Sequence, residues 1–215
     1  MKLFLDTADV AQVREAWSWG IIDGVTTNPS HVAKTGRKAA EVYREICDIV
    51  DGPISLEAVA LEANEIVKEG QALARIHKNV VIKVPILKEG LKAVRILASE
   101  GYKTNVTVTF SPLQALLAAK VGATYVSPFV GRLDAVGHDG MELVRQIKTI
   151  YRNYGFATQI ITAAARHPLH VLQAALAGSD VMTMGFDILQ QLYQHPLTDS
   201  VLDQFLKDWA KIPVK

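Results

Sequence analysis

Short runs of apolar and β-branched residues recur along the chain, each followed by a polar or Gly/Pro break and then a segment whose apolar positions repeat with helical spacing. The runs are Lys2–Leu5, Ile21–Thr26, Ile54–Val59, Val80–Val84, Thr104–Val108, Thr124–Val126, Thr158–Thr162 and Asp180–Met184. Between them the periodicity predicts helices over Asp9–Trp19, Ala39–Val50, Ala63–His77, Lys88–Ser99, Leu113–Lys120, Gly140–Tyr154 and Leu169–Ala177. Strand alternating with helix demands parallel pairing through right-handed crossovers. The 215 residues divide into eight units of roughly 27 residues, room for a strand of ~5, a helix of ~11 and two short loops. The expected architecture is therefore α/β, a closed (β/α)8 TIM barrel. An open doubly wound sheet would announce itself by a Gly-rich turn after the first strand, but that turn reads Asp6-Thr7-Ala8-Asp9.

Beyond the eighth strand the chain runs through Pro196 into a further amphipathic segment, Asp199–Lys211, whose apolar face carries Val201, Leu202, Phe205 and Trp209. Residues 1–215 thus read as a single barrel domain with a C-terminal helix at about 198–211. That helix either seals its own barrel or lies against a neighbour.

Composition narrows the function classes. At 49% hydrophobic and 21% charged the chain is globular. Its 23 Lys+Arg against 22 Asp+Glu leave no electrostatic footprint for nucleic acid or a membrane surface. Any anion it binds must be small and locally held. Cys47 is the single cysteine, so no intrachain disulfide forms. The longest apolar stretch, Ala115 to Val130, is interrupted by Lys120 and Pro128. With Asp6 preceding any apolar signal region, these features lead to the expectation of a soluble, cytoplasmic protein.

Barrel chemistry belongs at the C-terminal ends of the strands. The chain delivers Asp6, Thr27-Asn28, Glu57, Lys83, Asn105 with Thr107, Ser127 and Arg166 to that rim. Lys83 stands out, because Val80-Val81-Ile82-Lys83-Val84-Pro85 is otherwise apolar and alternation points Lys83 the same way as Val81. Removing a lysine from water disfavours its charged form, which is the condition for an amine to attack a carbonyl. The plainer alternative is a strand-end lysine reaching back to solvent. Asp6 and Glu57 offer two carboxylates for proton transfer; Asp6 alone would also serve as a helix cap, whereas Glu57 has no capping role available. Arg132 and Arg166 suit a bidentate clamp on phosphate, or else salt bridges to Asp134 or Asp139. The histidines lack metal-ligand spacing: His167 and His170 have no third ligand nearby in sequence. No metal and no cofactor is expected.

Leu5-Asp6-Thr7-Ala8, Gly24-Val25-Thr26-Thr27-Asn28-Pro29-Ser30, Val81-Ile82-Lys83-Val84-Pro85, Thr104-Asn105-Val106-Thr107 and Tyr125-Val126-Ser127-Pro128-Phe129-Val130-Gly131-Arg132-Leu133-Asp134 resemble the transaldolase family. The likeness is to its small-subunit branch, which also holds the fructose-6-phosphate aldolases, and runs from Met1 to about Trp209. It implies class I aldol chemistry on sugar phosphates. Lys83 would form the Schiff base, Asp6 take the C4 hydroxyl proton, and Glu57 with Thr107 position water. Asn28 beside Thr27, Asn105 and Ser127 match positions that hold the dihydroxyacetone hydroxyls, and Arg132 and Arg166 match the phosphate-binding arginines.

Glu57 and Phe129 match the transferase side of the branch, where aldolases carry Gln and Tyr. A phenylalanine has no hydroxyl to orient water for release of the three-carbon unit. The resemblance accordingly implies a transaldolase of the non-oxidative pentose phosphate pathway, acting on sedoheptulose 7-phosphate or fructose 6-phosphate. A fructose-6-phosphate aldolase and a non-catalytic sugar-phosphate-binding barrel are the alternatives. The branch also implies a homo-oligomer, pentamer or decamer. Two positions depart from the pattern: Ala164, where a serine is expected, and Gly185, where a proline is common.

Overall fold

The computed structural model describes residues 1–213; the last two positions of the domain expected over 1–215 lie outside it. Eight parallel strands close into a barrel in chain order, with β1 also pairing β8. They are β1 (Lys2–Asp6), β2 (Gly24–Thr26), β3 (Ile54–Glu57), β4 (Val80–Pro85), β5 (Thr104–Thr109), β6 (Tyr125–Pro128), β7 (Gln159–Thr162) and β8 (Val181–Met184). The main outer helices are α1 (Val10–Ser18), α3 (Ala39–Ile49), α4 (Ala63–Ala74), α5 (Lys88–Ser99), α6 (Pro112–Lys120), α8 (Gly140–Tyr154) and α9 (Pro168–Leu176). Short helices α2 (Pro29–Lys34), α7 (Val130–Asp134) and α10 (Phe186–Gln191) follow β2, β6 and β8, and α11 (Pro196–Trp209) ends the chain. Among the described residues no helix is long and apolar enough to cross a membrane.

Strand alternation divides the side chains into two sets. Leu5, Val25, Leu56, Ile82, Val106, Val126 and Met182 face outward into the core shared with the helices. Phe4, Val81, Tyr125, Ile161 and Val181 face inward and plug the barrel. Gly24 completes this layer by omission, since a Cβ there would stand 2.8 Å from the Phe4 ring. Two residues further along, the inward set turns polar on four of these five strands: Asp6 follows Phe4, Lys83 follows Val81, Ser127 follows Tyr125 and Thr183 follows Val181, whereas Ile161 is followed by Ala163. The floor of the site is this second layer.

Side-chain caps start α1, α2, α6, α8 and α11. Asp9, not Asp6, caps α1, accepting from the N–H of Ala11 at 2.9 Å. Ser111 and Gln114 form a reciprocal capping box at α6, whose first residue is Pro112. The eight predicted strands and their order are observed, but some bounds differ. The second is confined to Gly24–Thr26 because Asp23 spends its backbone N–H on the Leu3 carbonyl and its carboxylate on the Leu3 N–H, leaving Ile21 and Ile22 outside the ladder. The sixth extends to Pro128, placing Ser127 inside the strand. The terminal helix begins at Pro196, with His195 as its cap. The short α2, α7 and α10 lie where no helix is predicted, each being under two turns and too brief for a periodic pattern.

Candidate active site

Register brings the polar layer together. Glu57 pairs with Lys83 across β3 and β4, and Lys83 with Asn105 across β4 and β5. Lys83 is 3% exposed, which overturns the snorkelling alternative. Its Nζ stands 3.0 Å from Glu57 Oε2 and donates to the Thr27 carbonyl at 2.9 Å. A buried ammonium is tolerable only with such partners, and the same contact gives Glu57 a direct path for Lys83's proton. Asn105 is locked between Ser55 and Ser127, its amide donating to Ser55 at 3.2 Å and its oxygen accepting from Ser127 at 2.7 Å. Thr27 donates to the Ser55 carbonyl at 2.9 Å. The Thr107 hydroxyl is fully buried with no hydrogen-bond partner among the described residues.

Above this floor opens a cavity of about 590 Å³, lined by Asp6, Asn28, Glu57, Lys83, Ser127, Phe129, Arg132 and Arg166 among others. Thr27, Asn105 and Thr107 lie beneath its surface, at 0% exposure. Asn28 accepts from the His31 N–H through Oδ1 and so starts α2, and its amide N–H group has no hydrogen-bond partner among the described residues. Phe129 is held edge-to-face by Phe110, ring centres 5.9 Å apart.

Asp6 is clasped from two sides. Thr26 donates to Oδ1 at 2.7 Å and meets Thr183 at the same distance, while His31 Nε2 is 3.3 Å from Oδ2. Burial pushes the Asp6 carboxyl up, but the hydrogen bond from His31 and the positive charge of Lys83 outweigh it, holding the group below its ordinary value.

Neither Arg132 nor Arg166 forms an ion pair among the described residues, so the salt-bridge alternative fails. Asp139 pairs with Arg145, and Asp134 with His170 at 2.6 Å. Arg166 crosses directly over Gly131, where any Cβ would collide with the Ala164 carbonyl and the Arg166 stem. Val108 and Ala164 are the non-glycine residues with left-handed backbone, φ 61° and 59°, and both line the cavity. Backbone strain of this kind gathers at binding sites.

Space supplies the third group that the sequence lacked beside His167 and His170, since Asp134 joins them. Yet His170 Nδ1 accepts the Arg166 N–H at 3.1 Å, so in the neutral ring the proton sits on Nε2 and points at Asp134. No lone pair remains there for a metal. Sequence reasoning also missed His31, Lys34 and Asp187 in the cavity wall. His31 directly follows the Thr26-to-Ser30 motif, a signal that only the phase of α2 makes readable.

Residues 3–213 match the family model described as Transaldolase/Fructose-6-phosphate aldolase. A probable transaldolase of Dictyoglomus turgidum is 62% identical over 213 residues, 99% of this chain and 100% of that protein. Probable transaldolases of Aquifex aeolicus and Caldicellulosiruptor saccharolyticus are 58% and 59% identical, each alignment spanning 100% of this chain and 99% and 100% of those proteins. With a buried strand lysine, flanking carboxylates and free arginines at one barrel mouth, the chain belongs to the transaldolase/fructose-6-phosphate aldolase family.

Proposed function

We propose that the protein is a transaldolase that moves a dihydroxyacetone unit from a ketose phosphate to an aldose phosphate through a Schiff base on Lys83. The observation that carries this reading is the Lys83 amine, 3% exposed and 3.0 Å from a carboxylate at the floor of a cavity whose wall holds two arginines.

Lys83 gives a proton to Glu57, and the freed amine attacks C2 of the ketose. The carbinolamine loses water, Glu57 returning a proton to the departing hydroxyl, and a protonated imine results. Thr107, buried and unpartnered, is suited to hold that water beside Glu57. Asp6 then takes the C4 hydroxyl proton as the C3–C4 bond breaks. The bonding pair passes into the imine to give an enamine, and C4 leaves as the carbonyl of an aldose phosphate. A second aldose phosphate enters, C3 attacks its carbonyl, and Asp6 returns the proton to the new hydroxyl. Hydrolysis of the imine restores Lys83. The imine itself is the electron sink, so no cofactor is called for. Asn28, Asn105 and Ser127 suit the hydroxyls of the three-carbon unit, with Thr27 supporting them. Arg132 and Arg166 suit the phosphate, and Phe129 offers no hydroxyl for premature hydrolysis.

By the same reading the whole chain is one barrel domain serving the non-oxidative pentose phosphate pathway in the cytoplasm, as a homo-oligomer of five or ten copies. Borohydride reduction with fructose 6-phosphate is expected to add mass to the Lys83 peptide and to leave Lys83→Ala unmodified; no adduct on the native protein sinks the mechanism. Turnover of fructose 6-phosphate is expected to require erythrose 4-phosphate, and equal turnover without it would make the protein an aldolase.

A further inference from the structure

Two open spaces meet at Asp6. Besides the cavity over Lys83, a cleft of about 690 Å³ runs along the start of α1 and the side of α2, lined by Asp6, Asp9, Gln12, His31, Lys34 and Arg37. Asp6 and His31 belong to both walls. The two oxygens of Asp6 are held differently. Oδ1 is fixed by Thr26, itself backed by Thr183, hydroxyls from β2 and β8 within the barrel. His31 is the one contact to Oδ2 among the described residues, and it comes from outside the barrel.

The sequence sets His31 there. Asn28 caps α2 by accepting the His31 N–H at 3.0 Å, and Pro29 pre-sets the first turn. This phases the third helical residue toward the end of β1. We infer that His31 is a positioning residue for the proton step at Asp6, anchoring one carboxylate oxygen so that the remaining lone pairs face the bound sugar. The inference rests on the role proposed for Asp6 above.

A consequence for pH follows from the charges around the pair. Lys83 and Glu57 enter the cavity that Asp6 lines from β4 and β3, Arg132 from α7, Arg166 from the segment before α9, and Lys34 and Asp187 from α2 and α10. Asp9 and Arg37 face His31 from the second cleft. Asp6 accepts a proton only when ionised, so activity is present above its folded pKa and lost as pH falls through it. His31 helps hold that value down. Without His31, burial is opposed mainly by Lys83 and Thr26, and activity is lost at higher pH.

The test compares kcat/KM against pH for the native protein, His31→Leu and His31→Gln, with fructose 6-phosphate and erythrose 4-phosphate. The His31 side chain is 26% exposed, so both variants are expected to fold, which circular dichroism checks. His31→Leu is expected to lose about threefold to tenfold in kcat/KM, the worth of one hydrogen bond, with its acid limb displaced to higher pH. His31→Gln keeps an N–H donor near Nε2 and is expected to restore the limb. Superimposable limbs for Leu and native protein, or equal losses for Leu and Gln at every pH, would overturn the inference. Borohydride trapping on the same samples separates the two levels: an adduct on Lys83 in all three confines the change to Asp6. No adduct on the native protein removes the proposed mechanism, and the role of His31 with it.

Discussion

Ala164 lines the cavity beside Arg166 with its backbone held at φ 59°, and it contributes no hydroxyl where the family resemblance leads one to expect serine. Ala164→Ser asks nothing new of the backbone, since both residues carry a Cβ. The added donor is expected to contribute about 1–2 kcal/mol to a bound phosphate. The KM for fructose 6-phosphate should fall roughly fivefold to thirtyfold, with kinetics on unphosphorylated fructose unchanged. An equal gain on both sugars would show that the hydroxyl does not reach phosphate. At this scale Lys83, Glu57 and Asp6 were legible in the sequence because each is a charge placed in or at the end of an apolar strand. His31 was not, because its meaning depends on the orientation of a six-residue helix that carries too few positions to show a period.

Two loops are tied by a contact that joins elements far apart in sequence. Asp134, at the end of α7, accepts the Gly140 N–H at 2.8 Å, which opens α8, and pairs with His170 of α9. His170 in turn accepts the N–H of Arg166. Arg132 on α7 and Arg166 before α9 are thereby held in one frame. His170→Gln keeps a donor toward Asp134 but strands the Arg166 N–H, and His170→Asn does the reverse. Each is expected to raise the KM for fructose 6-phosphate by roughly fivefold, from the loss of one partly buried hydrogen bond, with kcat nearly unchanged. A fall in kcat alone would count against the frame.

Burial lowers the pKa of the His170 ring, and the opposing pull of Asp134 is the weaker effect. The folded protein therefore binds this proton less readily than the unfolded chain. Stability from this group is full above the ordinary value of 6.5 and drains away as pH falls below it. The fall in Tm with acid should be shallower in His170→Asn. Strand and helix order could be read from alternation and periodicity. This frame could not, since its partners, Asp134 and His170, lie 36 residues apart and meet only once β6 and β7 pair.

Over the whole molecule, the near balance of 23 positive and 22 negative residues leaves no net field to draw a polyanion, and Arg132 and Arg166 stand together in the wall of one cavity. The barrel also leaves one apolar face uncovered. Helix α11 has no buried residue, although Val201, Phe205 and Trp209 repeat at helical spacing with exposures of 46%, 65% and 73%. A helix of 14 residues gains little stability from its own hydrogen bonds in water, and an unpaired apolar stripe of this size marks an association surface. The sequence showed the stripe but left two possible covers, and the barrel closes without using it; under the proposed oligomer a second copy is its cover. Light scattering after gel filtration is expected to report an assembly of five or ten chains for the native protein. The double variant Phe205→Asp, Trp209→Asp should elute as a monomer that retains the circular dichroism of the barrel, because α11 contributes no residue to the buried core. A native protein that is monomeric at micromolar concentration, or a double variant that stays assembled, would show that α11 does not join the copies.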